Sequence, residues 1–194
     1  MPMNWIHRKL CSSDRWAATV EGTLLPWALS GVELGDEVLE IGPGFGATTT
    51  VLARDVPRLT AVEIDPASAE SLRRTLADRA TIVNGDATDL PFPDESFDAV
   101  VCFTMLHHVP SPSAQDTLFA QACRVLRPGG TFAGSDSRYS RAFRLLHLRD
   151  TMVVVDPDGL PERLRAAGLT DPQVTTGRGS FRFRASKPGT VRKS

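Results

Sequence analysis

Apolar residues along this chain come in short blocks that alternate with helical patterns. Val38, Leu39 and Ile41 form a brief apolar run that stops at glycines, after which Val51, Leu52 and Val56 recur at helical spacing. A strand, a tight turn and a helix are predicted. Residues 58–63 (RLTAVE) read as a second strand, and the helix behind it carries its own start signal. Asp65 can cap it, Pro66 suits the first helical position, and Ala69, Leu72 and Leu76 share one face. Residues 81–83 make a third short strand, and a polar, proline-containing loop (85–95) leads to the nearly continuous apolar run Phe97-Asp98-Ala99-Val100-Val101-Cys102-Phe103. Such runs fit strands covered on both faces, as in a parallel sheet. Ser111-Pro112 opens a helix lined by Leu118, Ala122, Val125 and Leu126, which Pro128-Gly129-Gly130 is expected to stop before a strand at 131–135. These alternations imply an open, doubly wound α/β sheet with right-handed crossovers.

Beyond residue 135 the rhythm changes. A basic amphipathic helix is expected over 138–149, an extended run over 151–155 and a helix over 161–167. Two strands follow, 172–176 and 180–185, the second in strict alternation; joined by Gly177-Arg178-Gly179, they read as an antiparallel β-hairpin. Residues 1–30 are expected to form a helical cover, with Trp5, Trp16 and Trp27 eleven residues apart and breaks at Ser12-Ser13 and Pro26. One domain, 1–187, is expected, with its core at 36–185 and a flexible basic tail at 188–194.

Composition narrows the class without naming a reaction. With 41% hydrophobic and 23% charged residues, the 194-residue chain reads as globular, and its formal net charge of -1 gives no general reason to expect nucleic acid as a partner. Cys11, Cys102 and Cys123 have no metal-ligand spacing and read as free thiols of a reducing compartment. No apolar run approaches the length of a membrane span and the N-terminus lacks the order of a signal peptide, so a cytoplasmic location is expected and no metal is called for.

The stretch Glu40-Ile41-Gly42-Pro43-Gly44-Phe45-Gly46-Ala47 admits two cofactors. Gly42-x-Gly44-x-x-Ala47 fits a loop that holds a dinucleotide pyrophosphate at a helix N-terminus. Gly42-x-Gly44-x-Gly46 fits one that passes under S-adenosylmethionine, a ligand with ribose hydroxyls, a sulfonium and an ammonium but no phosphate. Glu63, about 20 residues past the first glycine, can accept from ribose hydroxyls in either case. Glu40, two residues before Gly42, opposes phosphate and suits an ammonium. Asp86 is placed to accept from an adenine amino group, or else is a turn aspartate.

Here the sequence resembles the class I S-adenosylmethionine-dependent methyltransferases over most of residues 36–185. The resemblance rests on Val38 through Gly46, on Ala61-Val62-Glu63-Ile64-Asp65-Pro66, on Gly85-Asp86-Ala87, and on Phe97-Asp98-Ala99-Val100-Val101. Leu106-His107-His108-Val109 and Arg124-Val125-Leu126-Arg127-Pro128-Gly129-Gly130 complete it. It implies a Rossmann-like seven-stranded sheet ordered 3-2-1-4-5-7-6 with strand 7 antiparallel. It further implies a cofactor site at Glu40, Gly42, Pro43, Gly44, Gly46, Glu63, Ile64, Asp86, Ala87, Phe103 and Thr104, with S-adenosyl-L-homocysteine as product.

Methyl transfer from a sulfonium needs positioning more than acid–base help, so a base is required only for hydroxyl, phenol or protonated amine acceptors. His107 and His108, at the carboxyl edge of strand four, are the candidates. Trp5, Trp16, Met105, Tyr139, Phe143 and His147 are candidate walls for an unidentified small-molecule acceptor, although the tryptophans can equally staple the N-terminal segment to the sheet. Three other functions remain open. RNA adenine methylation is one, but the aromatic motif it needs after strand four is replaced by Phe103-Thr104-Met105-Leu106. The others are a non-catalytic S-adenosylmethionine-binding scaffold and an NAD-dependent dehydrogenase, the latter opposed by Glu40, Pro43 and the missing second dinucleotide half.

Overall fold

A computed structural model describes residues 9–147 and 150–189. Trp5 and most of the expected basic tail lie outside them. Seven strands form one sheet in the order β3-β2-β1-β4-β5-β7-β6. They are β1 (Glu37–Ile41), β2 (Arg58–Glu63), β3 (Thr81–Asn84), β4 (Phe97–Phe103), β5 (Leu126–Ser137), β6 (Thr170–Thr176) and β7 (Ser180–Ser186). β1 to β5 pair in parallel, and β7 runs antiparallel to both β5 and β6. The expected topology is the observed one.

The two faces of the sheet follow from its period of two. Leu39 and Ile41 of β1 and Val100 and Cys102 of β4 enter one buried cluster, together with Leu118, Phe119 and Ala122 of the helix Pro112–Val125 and with Phe181 and Phe183 of β7. Val38, Ala99, Val101 and Phe103 point to the other face and meet Leu52, Val20, Leu25 and Ala28. Both starting caps read from sequence are present: Asp65 accepts from Ser68 N–H at the head of helix Pro66–Leu76, and Ser111 accepts from Ala114 N–H.

Three expectations change in detail. Pro26 does not break the N-terminal helix: Asp14–Thr19 runs into a wide turn, Val20–Leu24, and on into Leu25–Ala28. Proline has no N–H to donate, and the widened turn, in which Leu25 N–H reaches the Val20 carbonyl, absorbs the missing bond. β5 begins at Leu126, so Pro128-Gly129-Gly130 lies inside a strand whose pairing with β4 is offset near Asp98, and the preceding helix ends at Val125. Among the described residues, the helix expected over 138–149 runs from Arg141 to Leu146, capped by Ser140, while 151–155 has no regular secondary structure and does not join the sheet.

Trp16 and Trp27 pack against the cluster around Val20 and Leu52, which is the stapling role. β7 holds the segment from the far side. Arg182 donates to the Trp27 carbonyl at 2.5 Å and its guanidinium lies 5.8 Å from the Trp27 ring, while Arg184 donates to the Gly31 carbonyl at 2.5 Å. The alternation of β7 is explained: Phe181, Phe183 and Ala185 enter the core, and the intervening arginines clasp the N-terminal cover. Among the described residues, no helix is long and apolar enough to cross a membrane.

Candidate cofactor and acceptor site

The carboxyl ends of β1, β2 and β4 converge on the glycine turn. Gly42, Gly44 and Gly46 all adopt left-handed conformations, with φ of 68°, 58° and 81°. The turn is tied down by Gly42 N–H to the Val62 carbonyl and Gly46 N–H to the Pro43 carbonyl, both at 2.9 Å. A Cβ on Gly46 would come within 2.4 Å of Leu72 Cδ2, so this glycine lets the helix Ala47–Asp55 start close against its neighbour. Around Gly44 there is open space instead, the side from which a ligand can approach the backbone.

Glu40 lies at the foot of this turn and is buried. One carboxyl oxygen accepts a short hydrogen bond from the Thr48 hydroxyl; the other, Oε2, has no hydrogen-bond partner. Burial pushes the carboxyl up to about 7, against the pull of the Thr48 and Thr49 hydroxyls and with help from the nearby Glu63. Thr49 stands near the carboxyl without the alignment of a hydrogen bond, so we assign it the weaker influence. A buried carboxyl with a vacant acceptor is costly unless a donor or cation completes it.

Glu63, also buried, brackets the turn from β2: its oxygens accept from Gly44 N–H and Asp65 N–H, each at 2.9 Å. Each oxygen keeps a second lone pair for a hydroxyl. Ile64 beside it and Phe45 on the turn are large apolar side chains left exposed, 44% and 38%, as flat walls for a ring would be. Asp86 folds into the turn that sequence allowed, with Oδ1 accepting from the backbone N–H and hydroxyl of Thr88. Ala87 packs on the core beside it. The Phe103 ring belongs to the core, so only its backbone can border a ligand.

Thr104 turns the chain at the end of β4 with φ of 51°, its N–H held by the Ser135 carbonyl at 2.8 Å. This left-handed residue carries Met105 across Gly42, where a Cβ would meet Met105 Cε at 3.0 Å. The short helix Leu106–His108 follows. His107 is buried rather than open to solvent: its backbone N–H donates to Asp136 Oδ2 at 2.9 Å, and its Nδ1 lies 2.6 Å from Asp136 Oδ1. His147, equally buried, comes from beyond helix Arg141–Leu146 to place Nε2 3.2 Å from His107 Nε2. Phe143 packs on both rings, at centroid distances of 5.0 and 4.1 Å. His108 is half-buried next to His107.

Phe143, His107, His108 and His147 thus come together, with Met105 over Gly42 just before them in the chain, whereas Trp16 belongs to the staple and Tyr139 is 57% exposed. Two groups escaped the sequence reading. Asp136 lies between Ser135 and Ser137 at the end of β5, where its burial is set by packing and its neighbours do not mark it; Thr48 sits in the first turn of a helix, where nothing marks its contact with Glu40. An open cleft of about 680 Å³, lined by Asp98, Arg127, Gly130 and Arg184, lies at the amino ends of the strands. Ligands of such sheets bind at the carboxyl ends, so the glycine turn is the better candidate.

Comparisons with known proteins identify the family. A methyltransferase domain model matches residues 39–134. The chain belongs to the class I S-adenosylmethionine-dependent methyltransferase family. Among curated members, it is 36% identical over 117 residues to a demethylmenaquinone methyltransferase of Tropheryma whipplei, covering 58% of this chain and 46% of the relative. It is 34% identical over 169 residues to a 27-O-demethylrifamycin SV methyltransferase of Amycolatopsis mediterranei, covering 80% and 56%. The chain therefore spans about half the length of these relatives. The PH0226 protein of Pyrococcus horikoshii shares the fold, with a TM-score of 0.78 at 18% identity over 94% of this chain and 96% of that one.

Proposed function

We propose that the chain binds S-adenosyl-L-methionine on the glycine turn and directs its methyl group to an O, N or C atom of a small-molecule acceptor. The observation that carries this reading is the vacant, buried oxygen of Glu40 beneath three left-handed glycines. A pyrophosphate would be repelled there, and an ammonium completes the carboxyl. Bound cofactor supplies an electrophilic methyl on a sulfonium. Glu40 then holds the amino-acid end, Glu63 accepts from the ribose hydroxyls, and Ile64, Phe45 and Ala87 flank the base, with Asp86 toward its amino group. Met105 and Phe143 shield the acceptor side from water, which favours an in-line displacement.

The relatives named for demethylmenaquinone and 27-O-demethylrifamycin SV support a small-molecule acceptor. Arg182 and Arg184, two of the basic residues of the C-terminal third, are engaged on the N-terminal cover. Titration calorimetry with S-adenosylmethionine, S-adenosylhomocysteine and NAD tests the reading. Micromolar binding of the first two is expected, and tight binding of NAD alone would sink it.

A further inference from the structure

Beside the glycine turn, two buried imidazoles face each other through Nε2 atoms 3.2 Å apart. The outer nitrogen of each ring is already engaged: His107 Nδ1 lies 2.6 Å from Asp136 Oδ1, and His147 Nδ1 lies 2.8 Å from the Phe143 carbonyl oxygen. A carbonyl accepts and never donates, and a carboxylate does the same, so each Nδ1 carries the ring proton. With the ring proton on Nδ1, a neutral imidazole at each position would turn its Nε2 lone pair toward the other ring. Two lone pairs at this separation repel unless a cation stands between them.

The geometry points to a divalent transition-metal site, of the zinc class, formed by His107, His147 and His108 between the carboxyl edge of β4 and helix Arg141–Leu146. A tetrahedral ion bound to imidazole nitrogens at about 2.0–2.1 Å sets them roughly 3.3 Å apart. The observed Nε2 pair is within a tenth of an ångström of that chord. Metal-bound histidines characteristically give their second ring N–H to a carboxylate or a backbone carbonyl, which is what Asp136 and Phe143 provide. His108 offers the third nitrogen, since ligand atoms of the three residues all lie within 4.8 Å of one another. Closing the last gap takes roughly 1.5 Å, within reach of a side-chain rotation.

A shared proton would also bridge the pair, but it gives the convergence of His108 no role. A metal also places positive charge one imidazole away from the buried Asp136 carboxylate, where a lone negative charge would be costly. It would pin helix Arg141–Leu146 to the sheet and leave a fourth position for water or a ligand atom. The site is not visible in the sequence, because His147 joins the adjacent His107 and His108 from a separate segment with no motif spacing. The site is independent of the methyl-transfer reading.

The test uses the full chain stripped with chelator, then titrated with Zn²⁺ by calorimetry and with Co²⁺ by visible absorption. One equivalent should bind, with the strong d–d bands of a tetrahedral Co²⁺ site. His147→Ala should weaken binding at least 100-fold, and Asp136→Asn about 10- to 100-fold; circular dichroism checks that both variants are folded. No stoichiometric binding, a weak six-coordinate Co²⁺ spectrum in the unmodified chain, or affinity unchanged by His147→Ala would each overturn the site, and the first would leave the shared proton. S-adenosylmethionine titrated into the same stripped protein reads the other proposal separately.

Discussion

Asp98 and Glu40 are carboxyl groups on the two central strands, at opposite ends of the sheet, and their surroundings differ in kind. Asp98 accepts from the backbone N–H groups of Asp36 and Glu37, at 3.1 and 2.9 Å, and pairs with Arg127 at 2.7 Å. Burial alone would push it up, but the Glu37 N–H and Arg127 outweigh that and hold it below the usual carboxylate range. Glu40 has a hydroxyl on one oxygen and nothing on the other, and burial holds it up at about 7. A carboxyl completed by the protein is a structural part. One left incomplete by the protein is a place for something else, and this contrast separates the foundation of the sheet from its working edge.

The contrast can be broken most directly at Glu40. Glu40→Ala should weaken S-adenosylmethionine about 30- to 100-fold by calorimetry, since a charge-assisted contact contributes roughly 2–3 kcal/mol, without loss of unfolding free energy. Asp98→Ala should do the reverse, costing about 2 kcal/mol in urea unfolding with cofactor affinity within twofold. If both variants lost affinity equally, the division of roles would be wrong.

Titration sharpens the same division. Cofactor binding needs ionised Glu40, so affinity should rise roughly tenfold from pH 6 to pH 8 and stay flatter in Glu40→Gln. The two groups should also bear on stability with opposite signs. Glu40, raised in the folded state from 4.5 to about 7, contributes stability that is present below its unfolded value and lost as pH rises through that window. Asp98, lowered from 3.8, contributes stability that is present above its unfolded value and lost as pH falls through the folded one. Chemical denaturation at several pH values compares the variants. The smallest effect is expected for Glu63→Gln, which retains one acceptor oxygen: a three- to tenfold loss of affinity, about 1 kcal/mol. An affinity that did not move would remove Glu63 from the ribose.

What could be read in the sequence was whatever neighbouring residues decide between themselves. The apolar blocks at 38–41 and 97–103 gave their strands, and Asp65 and Ser111 gave helix starts, because a cap bonds to an amide three residues on. Glu40 and Glu63 were legible as acids beside a glycine turn. The bracket from Glu63 to Gly44, the Asp136–His107–His147 chain and the seat of Trp16 were not, since each is set by how elements pack after they form. Pro26 shows the reverse case, where a local rule was correct and a single widened turn evaded it.

The clasp of Arg182 and Arg184 on Trp27 and Gly31 bears on how the molecule is made. Its two halves are separated by more than 150 residues, so the N-terminal cover emerges from the ribosome long before its fastener exists. Until β7 is synthesised, Trp16 and Trp27 rest on side chains of β1, β2, β4 and the helix Ala47–Asp55 without the arginine clasp. The cover is made well before its lock, and the interval is when a growing chain would most need a chaperone's protection.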